Sequence, residues 1–201
     1  MSALAKRAEI MKKYYTYADY LEWDEDFRCE LIHGEIRMMA APTSSHQTIL
    51  VNLSSDLRSF LRGKTCQVFP AAFDVRLNAD ERDDIVVQPD IVVICDPSKI
   101  TERGCVGAPD LVIEILSPST GRHDRITKMQ LYKDAGVREY WIIDPTNRTV
   151  DVYVLETGDN FTWLYNDTGI TPVHVLEGCE ISMDSLFDKV PNYESLSAIS
   201  P

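Results

Sequence analysis

Between Gln88 and Pro145 the chain carries side chains whose types and spacing suit hydrolysis of a phosphate ester. Asp90 opens an apolar, strand-like run, QPDIVVIC, and Glu114 sits inside a second one, PDLVIEIL. Asp124, Lys128 and Tyr132 follow at intervals of four residues, which puts them on one face of a predicted helix. Two carboxylates at strand ends can hold a divalent cation. An ammonium beside them can orient a water and offset the charge that develops in the transition state. The pattern points to metal-assisted phosphodiester hydrolysis, and a nuclease is the leading expectation.

Glu114 has Val112-Ile113 before it and Ile115-Leu116 after it. A carboxylate buried there without a partner would cost several kcal/mol or have its pKa driven upward, so it needs a cation, a donor network or a metal. A plain Glu114–Lys128 salt bridge would meet that need without catalysis. Asp90 on the preceding strand tips the reading toward a metal site. Glu30, in CELIHGE, either adds a carboxylate to the site or pairs with a basic residue. His46 either contacts a phosphate or water, or is a cap or surface residue at the start of a helix. His33, His123 and His174 show no ligand-like spacing, which argues against a histidine metal site. No GxGxxG, GxxxxGK[ST] or GxSxG occurs. Ser117 and Ser119 with His123 match no hydrolase arrangement, and Tyr140-Trp141 reads as sheet packing rather than a base-stacking platform.

The elements that must position these residues follow from periodicity. Thr16 with Asp19 predicts a capped short helix from Tyr17 to about Trp23. FRCELIHGEIRMMA predicts a hairpin turning at His33-Gly34. Ile49, Leu50, Leu53, Leu57, Phe60 and Leu61 recur at helical spacing, with Gly63 as a stop. Short strands are expected in CQVFP, FDVRL and IVV, with a hairpin loop over Asn78 to Asp84. DPSKITERGCVGAPD reads as a loop with a helical turn. LVIEIL is a buried strand, and a helix from about Gly121 to Ala135 ends at Gly136. REYWIID, VDVYVLE and NFTWLYN are further strands. Strands joined mostly by hairpins favour an α+β fold, a central mixed sheet flanked by helices, over a doubly wound one.

At 201 residues the chain suits one medium domain, with residues 1–15 as a mobile tail. No run approaches the ~20 apolar residues of a membrane span, and the N-terminus is too charged for a signal peptide, so a cytoplasmic protein is expected. Five cysteines without a CxxC pair argue against a disulfide framework or a structural zinc, and Cys95 reads as a small core residue. A net charge of −12 counts against broad coating of nucleic acid, because a basic footprint supplies most non-specific affinity. It leaves room for local positive charge. Arg122, Arg125, Lys128 and Lys133 lie beside the proposed site and Arg58, Arg62 and Lys64 end the long helix, although such charges also suit a solvated helix face.

The strings PD, PDLVIEILSPST and GVREYWIIDP, with ELIHGEI and the SSHQ helix in the same order, resemble the Uma-type family of proposed bacterial endonucleases. That family lies within the restriction-endonuclease-like PD-(D/E)xK superfamily, and the resemblance runs from about Thr16 to Phe187. It implies a single restriction-endonuclease-like domain over 16–201, with antiparallel strands added to the mixed sheet. It also implies Mg²⁺, or Mn²⁺ in its place, on Asp90, Glu114 and the carbonyl of Ile115, with DNA as substrate. Leu116 stands where the superfamily pattern has lysine. The resemblance implies that Lys128 on the next helix takes that role, with Asp124, Tyr132, His46 or Glu30 in support. Cutting both strands of DNA is a task for two symmetry-related sites, so a homodimer is a further expectation. The alternative is an inactive nuclease-fold protein that serves as a dimeric binding or regulatory module.

Overall fold

The computed structural model describes residues 14–24, 27–117, 124–156 and 161–191. Three apolar runs expected to be strands form the middle of a six-stranded sheet. They are β6 (Ile91–Ile94), β9 (Leu111–Ile115) and β10 (Glu139–Asp144). With β3 (Gln67–Pro70), β11 (Thr149–Val154) and β12 (Phe161–Tyr165), the order is β12-β11-β10-β9-β6-β3. β9 and β10 run parallel and the other neighbours antiparallel, which makes the sheet mixed.

Both faces of the three middle strands are covered, which is why β6, β9 and β10 lack the polar alternation that β11 keeps. Ile91, Val93, Leu111, Ile113, Trp141 and Ile143 pack against the long helix α2 (Ser44–Phe60) through Ile49, Leu53 and Leu57. Val92, Ile94, Val112, Tyr140 and Ile142 face the other way, toward Val75, Val87, Leu131 and Tyr132. Glu114 belongs to the same alternate set as Val112, so its side chain points to that second side.

The added strands form a second six-stranded sheet, β2-β1-β5-β4-β8-β7. These are β1 (Cys29–Ile32), β2 (Glu35–Met38), β4 (Val75–Arg76), β5 (Val86–Val87), β7 (Ile100–Thr101) and β8 (Gly104–Val106). The β1–β2 hairpin turns at His33 and Gly34, with φ of 50° and 75°, the two positive values a tight hairpin turn requires. A short helix α1 (Tyr17–Tyr20) precedes it, and Asp19 accepts the Thr16 N–H at 2.9 Å as expected of a capped start. Helix α3 (Met129–Ala135) is entered through a π-helical turn, Asp124–Lys128, and ends at Gly136 with φ 89°. Toward the C-terminus β13 (Ile170–Pro172) pairs with β14 (Glu180–Ser182), and α4 (Met183–Leu186) closes on the α2 side.

Four expectations change. Tyr14 and Tyr15, assigned to the tail, are anchored: the Tyr14 hydroxyl donates to Asp84 at 2.6 Å and Tyr15 is buried. Residues 1–13 lie outside the described part, as do Pro118 to His123, where the helix was expected to start. DPSKITERGCVGAPD holds a 3₁₀ turn, Pro97–Lys99, and the β7–β8 hairpin rather than a loop alone. Cys66 and Cys95 form a disulfide; β3 and β6 pair Gln67 with Ile94, so the next position outward sets the two cysteines opposite. Finally, Arg125 is engaged by Asp151 and does not line the site.

Candidate active site

Asp90 and Glu114 arrive at the same end of the central sheet through strand register. Ile91 pairs with Ile113 across β6 and β9, so the next position places Asp90 opposite Glu114. The Ile115 N–H donates to Asp90 Oδ2 at 2.7 Å, and His46 Nε2 lies 3.0 Å from Asp90 Oδ1. Both oxygens of Asp90 are thereby oriented, and each keeps lone-pair capacity for another partner.

Glu114 is held from the helix side. Tyr132 donates its hydroxyl to Oε1 at 2.7 Å, and Lys128 Nζ donates to the same oxygen at 2.8 Å. Lys128 also donates to Glu30 Oε1 at 2.8 Å and stands 3.9 Å from Asp124 Oδ1. Glu30 accepts in addition the Gln88 N–H at 3.0 Å. The π-helical turn is pinned by Tyr140, whose hydroxyl donates to the Asp124 carbonyl at 3.2 Å. Glu30, His46, Asp90, Glu114, Ile115, Asp124 and Lys128 all line one cleft of about 650 Å³, with Tyr132 behind Glu114.

Two questions left open by sequence are thus answered. Glu30 does both things weighed for it, bringing a carboxylate to the cluster and pairing with Lys128. His46 is neither a cap nor a surface residue. Its backbone N–H is capped by Thr43 at 3.2 Å, and its ring, 8% exposed, packs against Asp90. Its Nδ1 is buried with no hydrogen-bond partner among the described residues. Gln88, Arg28 and Arg37 also line the cleft and were not singled out. The signal was there for the arginines: Arg28 lies two residues before Glu30, and Arg37 is its cross-strand partner.

Burial shapes the electrostatics. It pushes the Glu114 carboxyl well above the ordinary range; Lys128 opposes the shift, while Asp90, Asp124 and Glu30 add to it. Burial alone would lower Lys128, but the carboxylates of Glu114, Glu30 and Asp124 outweigh it and raise the ammonium above its ordinary value. Tyr132 is raised by burial and by the same acids, so it remains a hydroxyl donor.

Lys128 meets three acids, Glu30, Glu114 and Asp124, and Asp90 lies opposite Glu114, so carboxyl groups outnumber the one buried ammonium. Surplus charge on hard oxygen donors suits Mg²⁺ or Mn²⁺. Among the described residues no three His, Cys, Asp or Glu side chains form a ready-made metal cage. Two carboxylates, a main-chain carbonyl and water are instead a fitting set for Mg²⁺, which keeps several of its waters.

The chain matches the family Uma2, described as "Putative restriction endonuclease", over residues 17–184. This chain belongs to the Uma2 family. Two uncharacterized proteins of Synechocystis sp. are similar to it. For slr1290 identity is 30% over 149 residues, covering 73% of this chain and 76% of the relative. For sll1609 it is 30% over 160 residues, covering 77% and 88%. The Uma2 chain also superimposes on a solved structure from Anabaena variabilis titled a putative nuclease belonging to DUF820. The TM-score is 0.72 at 24% identity, over 88% of this chain and 99% of that one. The likeness shows that the α+β fold with its mixed sheet is shared.

Proposed function

We propose that this Uma2 protein is a metal-dependent endonuclease that hydrolyses DNA phosphodiester bonds by in-line attack of water. One observation carries the reading: Asp90, Glu114 and Lys128, from two strands and a helix, meet in one cleft with a surplus of carboxylate. Asp90, Glu114 and the carbonyl of Ile115 are the groups that would hold Mg²⁺, or Mn²⁺ in its place. When bound, the ion supplies a polarised phosphate and a more acidic water. The chain supplies the arrangement. His46 and the Ile115 N–H fix Asp90, and Tyr132 and Lys128 fix Glu114, so little reorganisation is left for the reaction. Lys128 uses two of its three N–H donors on Glu114 and Glu30, and the third is the one that would orient the attacking water, with Asp124 in reach. A homodimer would place two such clefts for cutting both strands.

The test is nicking of supercoiled plasmid together with calorimetric titration of Mg²⁺ and Mn²⁺, on wild type, Asp90→Asn and Glu114→Gln. Amides keep the shape and remove the charge, which matters because Glu114 is buried against Lys128. Binding and nicking by wild type, both lost in each variant with circular dichroism unchanged, is the expected outcome. Nicking that persists in either variant would sink the assignment.

A second reading is favoured by a specific feature. Leu116 occupies the strand position of the superfamily lysine, and Lys128 is already committed to two carboxylates. An inactive binding or regulatory module of the same fold would have this arrangement. It would bind DNA or a partner undiminished in Glu114→Gln and turn nothing over.

A further inference from the structure

The cleft floor repels what the proposed reaction must bring to it. It carries four acids against one buried lysine, in a chain whose net charge is −12. A phosphate backbone entering there needs positive charge at the mouth. Among the described residues, the arginines and lysines lining the cleft are Arg28, Arg37 and Lys128, and Lys128 is buried in the acid network. The other two are exposed.

Strand geometry puts both at the mouth. Arg28 directly precedes β1 and its carbonyl accepts the Met39 N–H at 3.1 Å, so the ladder continues to it and Arg28 shares the face of Glu30. Arg37 on β2 is the direct cross-strand partner of Glu30 and shares it too. Glu30 is tied to Lys128 at 2.8 Å, which turns this face of the hairpin into the cleft. The two arginines are diagonal neighbours, roughly 7–8 Å apart at their bases. Arg37 pairs with Glu35 at 3.0 Å in an exposed contact, which a phosphate can displace at little cost. Guanidinium forks suit phosphate oxygens.

We infer that Arg28 and Arg37 form a phosphate clamp on the β1–β2 hairpin that seats the backbone of duplex DNA over the acid cluster. The inference rests on the nuclease reading for its ligand. The clamp supplies at the rim the positive charge that the protein as a whole lacks, and it reads no base sequence, because phosphate contacts set position only.

The experiment is fluorescence anisotropy of a labelled DNA duplex with Mg²⁺ present, titrated over a range of salt. The protein is the full chain carrying Glu114→Gln, with Arg28 and Arg37 native, both alanine, or both lysine. Each phosphate contact contributes about 0.9 to the slope of log affinity against log salt, so the double alanine should flatten it by about 1.8 and weaken binding about tenfold at the low-salt end. The double lysine should keep most of the slope. Equal slope and affinity in the double alanine, or no binding of duplex DNA when the arginines are native, would overturn the clamp. Plasmid nicking by wild type scores the nuclease reading separately. A flattened slope without nicking leaves the clamp and removes the nuclease, and nicking with an unchanged slope does the reverse.

Discussion

Lys128 shows how one residue can serve both architecture and chemistry. Its ammonium is buried among Glu114, Glu30 and Asp124, so deleting it leaves carboxylates packed against one another without a counter-charge. Removing one partner of such a group costs about 3–5 kcal/mol. Lys128→Met should lose that much stability at pH 7 in urea unfolding, and no loss would mean that Glu114 takes up a proton in place of the ammonium. The pH dependence has a definite sign. The folded state raises the pKa of Lys128 above its ordinary 10.5, so its stabilisation is complete below that pH and fades as pH climbs past it. The gap between wild type and Lys128→Met should therefore narrow in strong alkali. Lys128, Glu114, Asp124 and Tyr132 were legible because a charge inside an apolar strand and a four-residue spacing are local signals. The contacts of His46 with Asp90 and of Glu30 with Lys128 were not, since they join residues 44 and 98 positions apart.

Most elements that hold the site could be read from where glycine and apolar periodicity fall. The β1–β2 turn, the span of α2 and the end of α3 at Gly136 appear where the sequence places them. The π-helical entry to α3 carries no such mark, and Gly104 at the β7–β8 turn stands without the apolar alternation that would announce two strands. The Cys66–Cys95 bond depends on the β3–β6 register, which no spacing of cysteines encodes. Two glycines separate the causes of backbone cost. Gly136 sits at φ 89° with open space where a methyl group would go, so Gly136→Ala should cost about 1 kcal/mol from conformation alone. Gly34 sits at φ 75°, and a Cβ there would come within 2.5 Å of the Tyr14 ring. Gly34→Ala should cost more and dislodge Tyr14 from Asp84. Denaturation midpoints of the two variants decide it; an equal loss would mean that the Tyr14 contact contributes nothing to holding the hairpin that bears Glu30.

The two sides of the molecule share the central sheet, and this sets how it should come apart. β6, β9 and β10 contribute one set of side chains to the core under α2 and the alternate set to the core under the second sheet. Neither core can open without stripping a face from the same strands. Three free cysteines report on different parts: Cys29 in β1, Cys105 in β8 and Cys179 beside β14. Burial pushes the Cys29 thiol up to about 12 and those of Cys105 and Cys179 up to about 11. The reactive thiolate is therefore scarce in the native state near neutrality. Unfolded thiols ionise near their ordinary 9.0, so the fold loses stability as pH rises from there toward 11–12. Titration with a chromogenic thiol reagent at pH 8 should find none of the three reactive in the native protein and all three appearing in one urea transition, without reductant. If Cys179 reacted at lower urea than Cys29 and Cys105, the C-terminal strands would open on their own, and the shared sheet would not bind the two cores into one cooperative unit.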